Sequence, residues 1–77
     1  MAPTIFREGS FRCFSREEPR LHVHVSHPDG EAKFWLSPEL TLATSTGLSP
    51  QQLKEAQRLV AVHLEEITHA WHTHFPN

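Results

Sequence analysis

Two histidines stand at alternate positions in Arg20-Leu21-His22-Val23-His24-Val25, and Ala32-Lys33-Phe34-Trp35-Leu36 follows a Pro-Asp-Gly turn. Side chains of an extended strand alternate between faces, so both imidazoles project from one side and both valines from the other. Three chemistries are candidates for such a face. The first is metal binding. Two ring nitrogens on one side need a third ligand to hold zinc or nickel, and Glu31, His27, His69 or His72 can supply it. His69 and His72 are three apart and share a helix face. Half-exposed imidazoles bonded to water or to Glu side chains explain His22 and His24 without any metal, and no cofactor is expected. The second is cleavage of RNA, with His22 or His24 as general base or acid and Arg12, Lys33 or Arg20 holding phosphate charge. Trp35, on the same face, can stack a base. The third is protein–protein association through Trp35, Arg20, a helix end carrying Trp71 and Phe75, and any open strand edge. The simpler reading of Trp71 and Phe75 is that they finish the core.

Other reactive side chains have structural explanations. Cys13, on a strand, packs as a small apolar group, since a reactive thiol needs a cationic or helix-terminal setting and only Arg12 adjoins it. His63 falls on the apolar stripe of the C-terminal helix, at the core edge. His69, His72 and His74 lie in the last turns of that helix, where positive charge complements the dipole. Glu65 and Glu66 form a solvated face. The chain contains no phosphate-binding glycine loop, no Ser-His-Asp arrangement and no close carboxylate pair for acid–base hydrolysis.

The elements that must position these groups read as follows. Thr4–Arg7 and Phe11–Phe14 form a first hairpin around Glu8-Gly9-Ser10, and Ser15–Arg20, with Pro19, is a loop. His22–His27 and Ala32–Leu36 form the second hairpin. For Val23 and Val25 to share a face with Ala32, Phe34 and Leu36, the connecting loop must hold an even number of residues. A two-residue Pro28-Asp29 turn of the usual hairpin kind needs positive φ at the proline, which its ring forbids, so a four-residue loop Pro28–Glu31 is predicted. Leu40–Ala43 is a short fifth strand and Thr44–Gly47 a loop. Ser49 is the N-cap of a helix, with Pro50 at its first position, Gln52 in the capping-box position and Leu48 against Leu53 as a hydrophobic staple. Leu53, Ala56, Val60, Ile67 and Trp71 then recur at helical spacing, widened by Leu59, Leu64 and Phe75, with no Gly or Pro before Pro76. About 25 uninterrupted residues would run roughly 37 Å, long enough to overhang the sheet.

Composition narrows the setting. A chain of 77 residues is one domain, residues 1–77, near the lower size for a self-sufficient core. Hydrophobic residues at 38% against 21% charged ones place it among folded proteins rather than disordered ones. One cysteine allows no internal disulfide. Without a leader-like start or a membrane-length apolar run, the expected setting is a reducing cytoplasm, with no membrane partner. The net charge of −2 disfavours RNA as the main partner, although residues 1–36 carry five basic groups, Arg7, Arg12, Arg16, Arg20 and Lys33, and allow a local arginine patch. Protonating all seven histidines would take the charge to +5, so solubility and partner binding should differ between pH 5.5 and 7.5.

Pro-Thr-Ile-Phe-Arg near the start, Leu-His-Val-His-Val, Gly-Glu-Ala-Lys-Phe-Trp-Leu and the terminal Ala70-Trp71-His72 give the chain, over nearly its whole length, a resemblance to a small bacterial family known as domain of unknown function 4160. Members usually show Pro-Pro-His before the second histidine, often with a further histidine upstream; here Arg20-Leu21 replaces part of that and Glu17-Glu18 stand upstream. The resemblance implies a gene neighbour that is another small protein, an arrangement like a toxin–antitoxin pair. It implies no activity and no catalytic residues. The fold expected from the residues is α+β: an antiparallel meander of four to five short strands (residues 1–47) with one long C-terminal helix (48–75) on one face. Its core comprises Ile5, Phe14, Val23, Val25, Phe34, Leu36, Leu53, Ala56, Val60, Ile67 and Trp71. The functional expectation is a protein-binding component of a toxin–antitoxin-like pair, with a homodimer as a further form of association. A ribonuclease-like toxin is the alternative and metal binding the third.

Overall fold

The hydrophobic alternation of the N-terminal half folds into five strands: β1 (Thr4–Glu8), β2 (Phe11–Phe14), β3 (His22–His27), β4 (Gly30–Trp35) and β5 (Thr41–Thr46). Two helices follow, α1 (Pro50–Val62) and α2 (Leu64–His74). This computed structural model describes residues 4–15 and 20–74. The expectations for Arg16, Glu17, Glu18 and Pro19 in the first loop, for Phe75 and Pro76, and for the side chain of His74 concern groups outside those described. The strands form one antiparallel sheet in chain order, β1-β2-β3-β4-β5, so the α+β meander expected from the sequence is what the chain adopts.

Register divides the sheet into two faces. Val23 lies opposite Phe34 and Val25 opposite Ala32 and Cys13, and these buried side chains meet Ala56, Leu59, Val60 and Ile67 of the helices. Ile5, Leu48 and Leu53 pack at the margin of this core. Phe14 was expected there, but it pairs with His24 and therefore belongs to the other face; Phe11 and Cys13 are the β2 residues turned to the helices.

Three local expectations change. The second hairpin closes through Pro28 and Asp29 alone, with His27 opposite Gly30, rather than through four residues. No non-glycine residue among those described has positive φ, so this turn avoids the conformation that proline forbids. The Asp29 amide instead donates to His27 Nδ1 at 3.1 Å. Two and four are both even, so the face assignment survives. Strand β5 runs to Thr46 instead of Ala43. Its end approaches the turn closely enough that a Cβ on Gly30 would overlap the Thr46 carbonyl oxygen.

The third change is the helix. Instead of one rod there are two segments meeting at His63, whose backbone (φ −99°, ψ 18°) leaves the helical region without any Gly or Pro to cause it. A straight helix of that length would overrun a sheet of five strands. Breaking it lets α1 lie over β4 while α2 turns to cover β1. The start is as the residues indicate. Ser49 Oγ accepts from the Gln52 amide at 3.1 Å, Gln52 Oε1 accepts from the Ser49 amide at 2.7 Å, and Pro50 occupies the first turn.

Candidate functional site

The face of the sheet turned away from the helices holds the candidate residues. Pairing sets His22 beside Trp35, His24 beside Lys33 and beside Phe14, and Arg12 beside Ser26. Both imidazoles and the indole therefore share one face, opposite the valines, as their alternation requires.

Exposure is another matter. His22 has no solvent-accessible surface and Phe14 only 3%. The rings interlock: Phe14 stacks on His24 at 5.3 Å, His24 meets His22 edge-on at 5.2 Å, and His22 meets Trp35 at 6.2 Å. Cations cover the ends of this array. The Arg12 guanidinium lies 4.7 Å from the Phe14 ring centre, while Arg20 and Lys33 Nζ lie 4.1 and 4.4 Å from that of Trp35. Arg20 also donates Nε and Nη2 to the Ser37 carbonyl at 3.2 and 3.1 Å. A carbonyl oxygen only accepts, so the 2.8 Å contact between His22 Nδ1 and the Arg20 carbonyl places a hydrogen on Nδ1. Each cation gains from the ring quadrupole, and each ring is desolvated by an aliphatic stem. The outer face is thus a second, smaller packed layer of aromatic and basic groups.

The sequence candidates fall into two sets. His22, His24, Arg12, Lys33, Arg20 and Trp35 are brought together. Trp71 is not among them: it lies on α2, 8% exposed, with its ring edge-on to His72 at 5.7 Å. The third ligands considered for a metal do not converge on His22 and His24. His27 faces the helix side and stacks on Phe11 at 4.7 Å, Glu31 lies at the far end of its strand opposite Ser26, and His69 and His72 stand exposed on α2. Among the described residues no group of three or more His, Cys, Asp or Glu is placed to hold a metal ion. Cys13 is buried, and burial, with a smaller contribution from the Glu66 charge, pushes its thiol well above its ordinary range. It is a packing group.

Charge is sorted between the faces. Arg7, Arg12, Arg20 and Lys33 belong to the outer side with Glu31 as the acid, whereas Glu8, Glu55 and Glu66 lie on the helix side with Lys54 and Arg58. A net charge of −2 conceals this separation because it averages over both sides.

The helix side carries a further cluster that spacing alone did not reveal. His63 Nδ1 lies 2.8 Å from Glu66 Oε1 and its Nε2 3.5 Å from Glu8 Oε1, while its ring stacks on Phe6 at 4.1 Å. The Glu66 hydrogen bond, and to a lesser degree Glu8, raise its pKa above the ordinary histidine value against the opposing effect of burial.

The domain of unknown function DUF4160 matches residues 10–72. The chain belongs to that family. The match begins in the first turn and ends one residue past Trp71, so it takes in β2 to β5, α1 and nearly all of α2. No curated protein and no solved structure shows a significant match. For this DUF4160 chain, function has to be argued from the surface itself. No helix among the described residues is long and apolar enough to cross a membrane.

Proposed function

We propose that this chain is a single protein-binding domain of the reducing cytoplasm, one component of a toxin–antitoxin-like pair, and that its partner adds a strand to β5. One observation carries the reading: β5 is a six-residue edge strand, Thr41-Leu42-Ala43-Thr44-Ser45-Thr46, with neither charge nor proline. Edges left unguarded in this way are templates for another strand, and natural sheets ordinarily block them. The opposite edge, β1, is guarded by Arg7, Glu8, a register irregularity and the packing of α2.

A hollow of about 470 Å³ beside the edge supports the choice. Leu40, Gln57, Ala61, Lys54 and Arg58 line it, and Leu42, on the same side of the sheet, is 44% exposed. Main-chain bonding to β5 supplies affinity, and an apolar side chain entering the hollow supplies selectivity. Arg58 is held by Glu55 at 2.6 Å, whereas Lys54 has no ion pair among the described residues and favours an acidic group on the incoming segment. The occupant is therefore an extended segment with an apolar residue flanked by an acidic one. The ribonuclease-like alternative has less support, since a general acid or base must reach its substrate and His22 has no accessible surface. His24 with Lys33 is what that alternative retains, and a metal role for His22 and His24 lacks a third ligand among the described residues.

The test is co-expression with the product of the neighbouring gene, the partner that the family resemblance implies, followed by size-exclusion and light scattering. A heteromeric complex that is lost in Leu42→Lys and Thr44→Lys, both exposed on the edge, supports the reading. A complex indifferent to both variants overturns it. So does self-association abolished by the same variants, because the occupant of β5 is then a second copy.

A further inference from the structure

Toward the β1 edge, away from Trp35 and β5, the outer face carries a row that composition alone conceals. Pairing sets Arg7 opposite Arg12, Arg12 opposite Ser26, and Ser26 opposite Glu31, so two arginines stand side by side on neighbouring strands. Like charges directly opposite in an antiparallel pair repel. Neither arginine has an ion-pair partner among the described residues. Glu31 is the acid of the row, one strand beyond Ser26.

Arg12 is anchored, with its guanidinium over Phe14 at 4.7 Å. Its Nε is buried and has no hydrogen-bond partner among the described residues. A buried donor left without an acceptor is costly, the more so in a charged group. Beside it opens a hollow of about 380 Å³ lined by Arg7, Ser10, Arg12, Ser26 and His27. Arg7, Arg12, Ser10 and Ser26 thus border one space, with two guanidinium groups and two hydroxyls as its donors.

We propose that this hollow binds a phosphoryl group. An oxyanion between Arg7 and Arg12 converts their repulsion into two charge-assisted attractions. A phosphoryl group fits better than a carboxylate because its oxygens present more acceptor positions, matching four donor-bearing side chains rather than one fork. The phosphoryl group can come from a free phosphate or from the backbone of an RNA strand. The site stands whether or not a strand adds at β5.

Titration calorimetry and thermal unfolding of the full chain distinguish these sources. Sodium phosphate is compared with sodium chloride at equal ionic strength, and a short single-stranded oligoribonucleotide is titrated separately, each against wild type, Arg7→Gln and Ser10→Ala. Both substitutions sit at exposed positions and leave the core intact. Phosphate that raises the unfolding temperature beyond chloride, with binding at least about tenfold weaker in Arg7→Gln, supports the site with free phosphate as ligand. Oligonucleotide binding weakened in the same way, with phosphate alone silent, supports it with the strand backbone as ligand. Without any anion, Arg7→Gln should unfold no lower than wild type, because it relieves the repulsion. Phosphate no better than chloride together with no oligonucleotide binding, or binding of either that Arg7→Gln leaves unchanged, overturns the proposal.

Discussion

His63 Nε2 lies 3.5 Å from Glu8 Oε1, which ties the junction of the two helices to the first strand of the sheet. Glu66 holds the other ring nitrogen at 2.8 Å, so one imidazole bridges carboxylates from two elements. The hydrogen bond to Glu66, then that to Glu8, raises the folded-state pKa of His63 above its unfolded value of about 6.5. A raised histidine stabilises the fold fully below the unfolded pKa, and that stabilisation is lost as pH rises through the folded pKa. The gap in denaturant midpoint between wild type and His63→Gln should therefore be widest at pH 5.5 and narrow steadily toward pH 8. A gap that is constant over this range would leave only the Phe6 stacking as the role of His63.

His22, buried without accessible surface and bonded through Nδ1 to the Arg20 carbonyl, is predicted to act on stability. His22→Ala removes a ring from a packed layer and leaves a carbonyl without its donor, a loss of about 2–4 kcal/mol. His24→Ala, at a half-buried position, should cost less. Urea unfolding of both variants, read with an RNA-cleavage assay on the folded protein, separates the roles. A His22→Ala protein as stable as wild type but altered in RNA cleavage would reverse the assignment.

Ser49 and Gln52 cap α1 reciprocally, and Gln52 Nε2 also donates to Asp29 Oδ2 at 2.8 Å, linking the helix start to the β3–β4 turn. Ser49→Ala should lower unfolding free energy by about 1 kcal/mol. Gln52→Ala should also loosen the turn, seen as faster amide exchange at Asp29 and Gly30. Unchanged exchange there would show that the cap and the turn are energetically separate.

The two hairpins, the face assignment of the histidines, the cap at Ser49 and the burial of Cys13 were all legible in residue order. Each depends on short-range rules: alternation along a strand, parity of a loop, and a hydroxyl three residues before an amide donor. The break at His63 was not legible. No Gly or Pro stands near it, and at the break the His63 ring meets two carboxylates, one of them from β1, which is remote in sequence. Phe14 was placed on the wrong side because the pairing of β2 with β3 crosses a loop whose length does not set register. The row of Arg7, Arg12 and Ser26 was hidden for the same reason, since neighbours in a sheet are remote in sequence.

By itself, then, the order of residues determined an α+β meander, membership of its family, and which side chains alternate with which. Tertiary structure decided what water can reach. It sealed His22 against His24 and Trp35, buried Trp71 on α2, gathered Arg7, Arg12, Arg20 and Lys33 on one face, and left β5 as an open edge. The reason is physical: alternation and capping act between residues close in the chain, whereas burial and charge neighbourhood are set by strands and helices that meet only after the chain has folded back on itself.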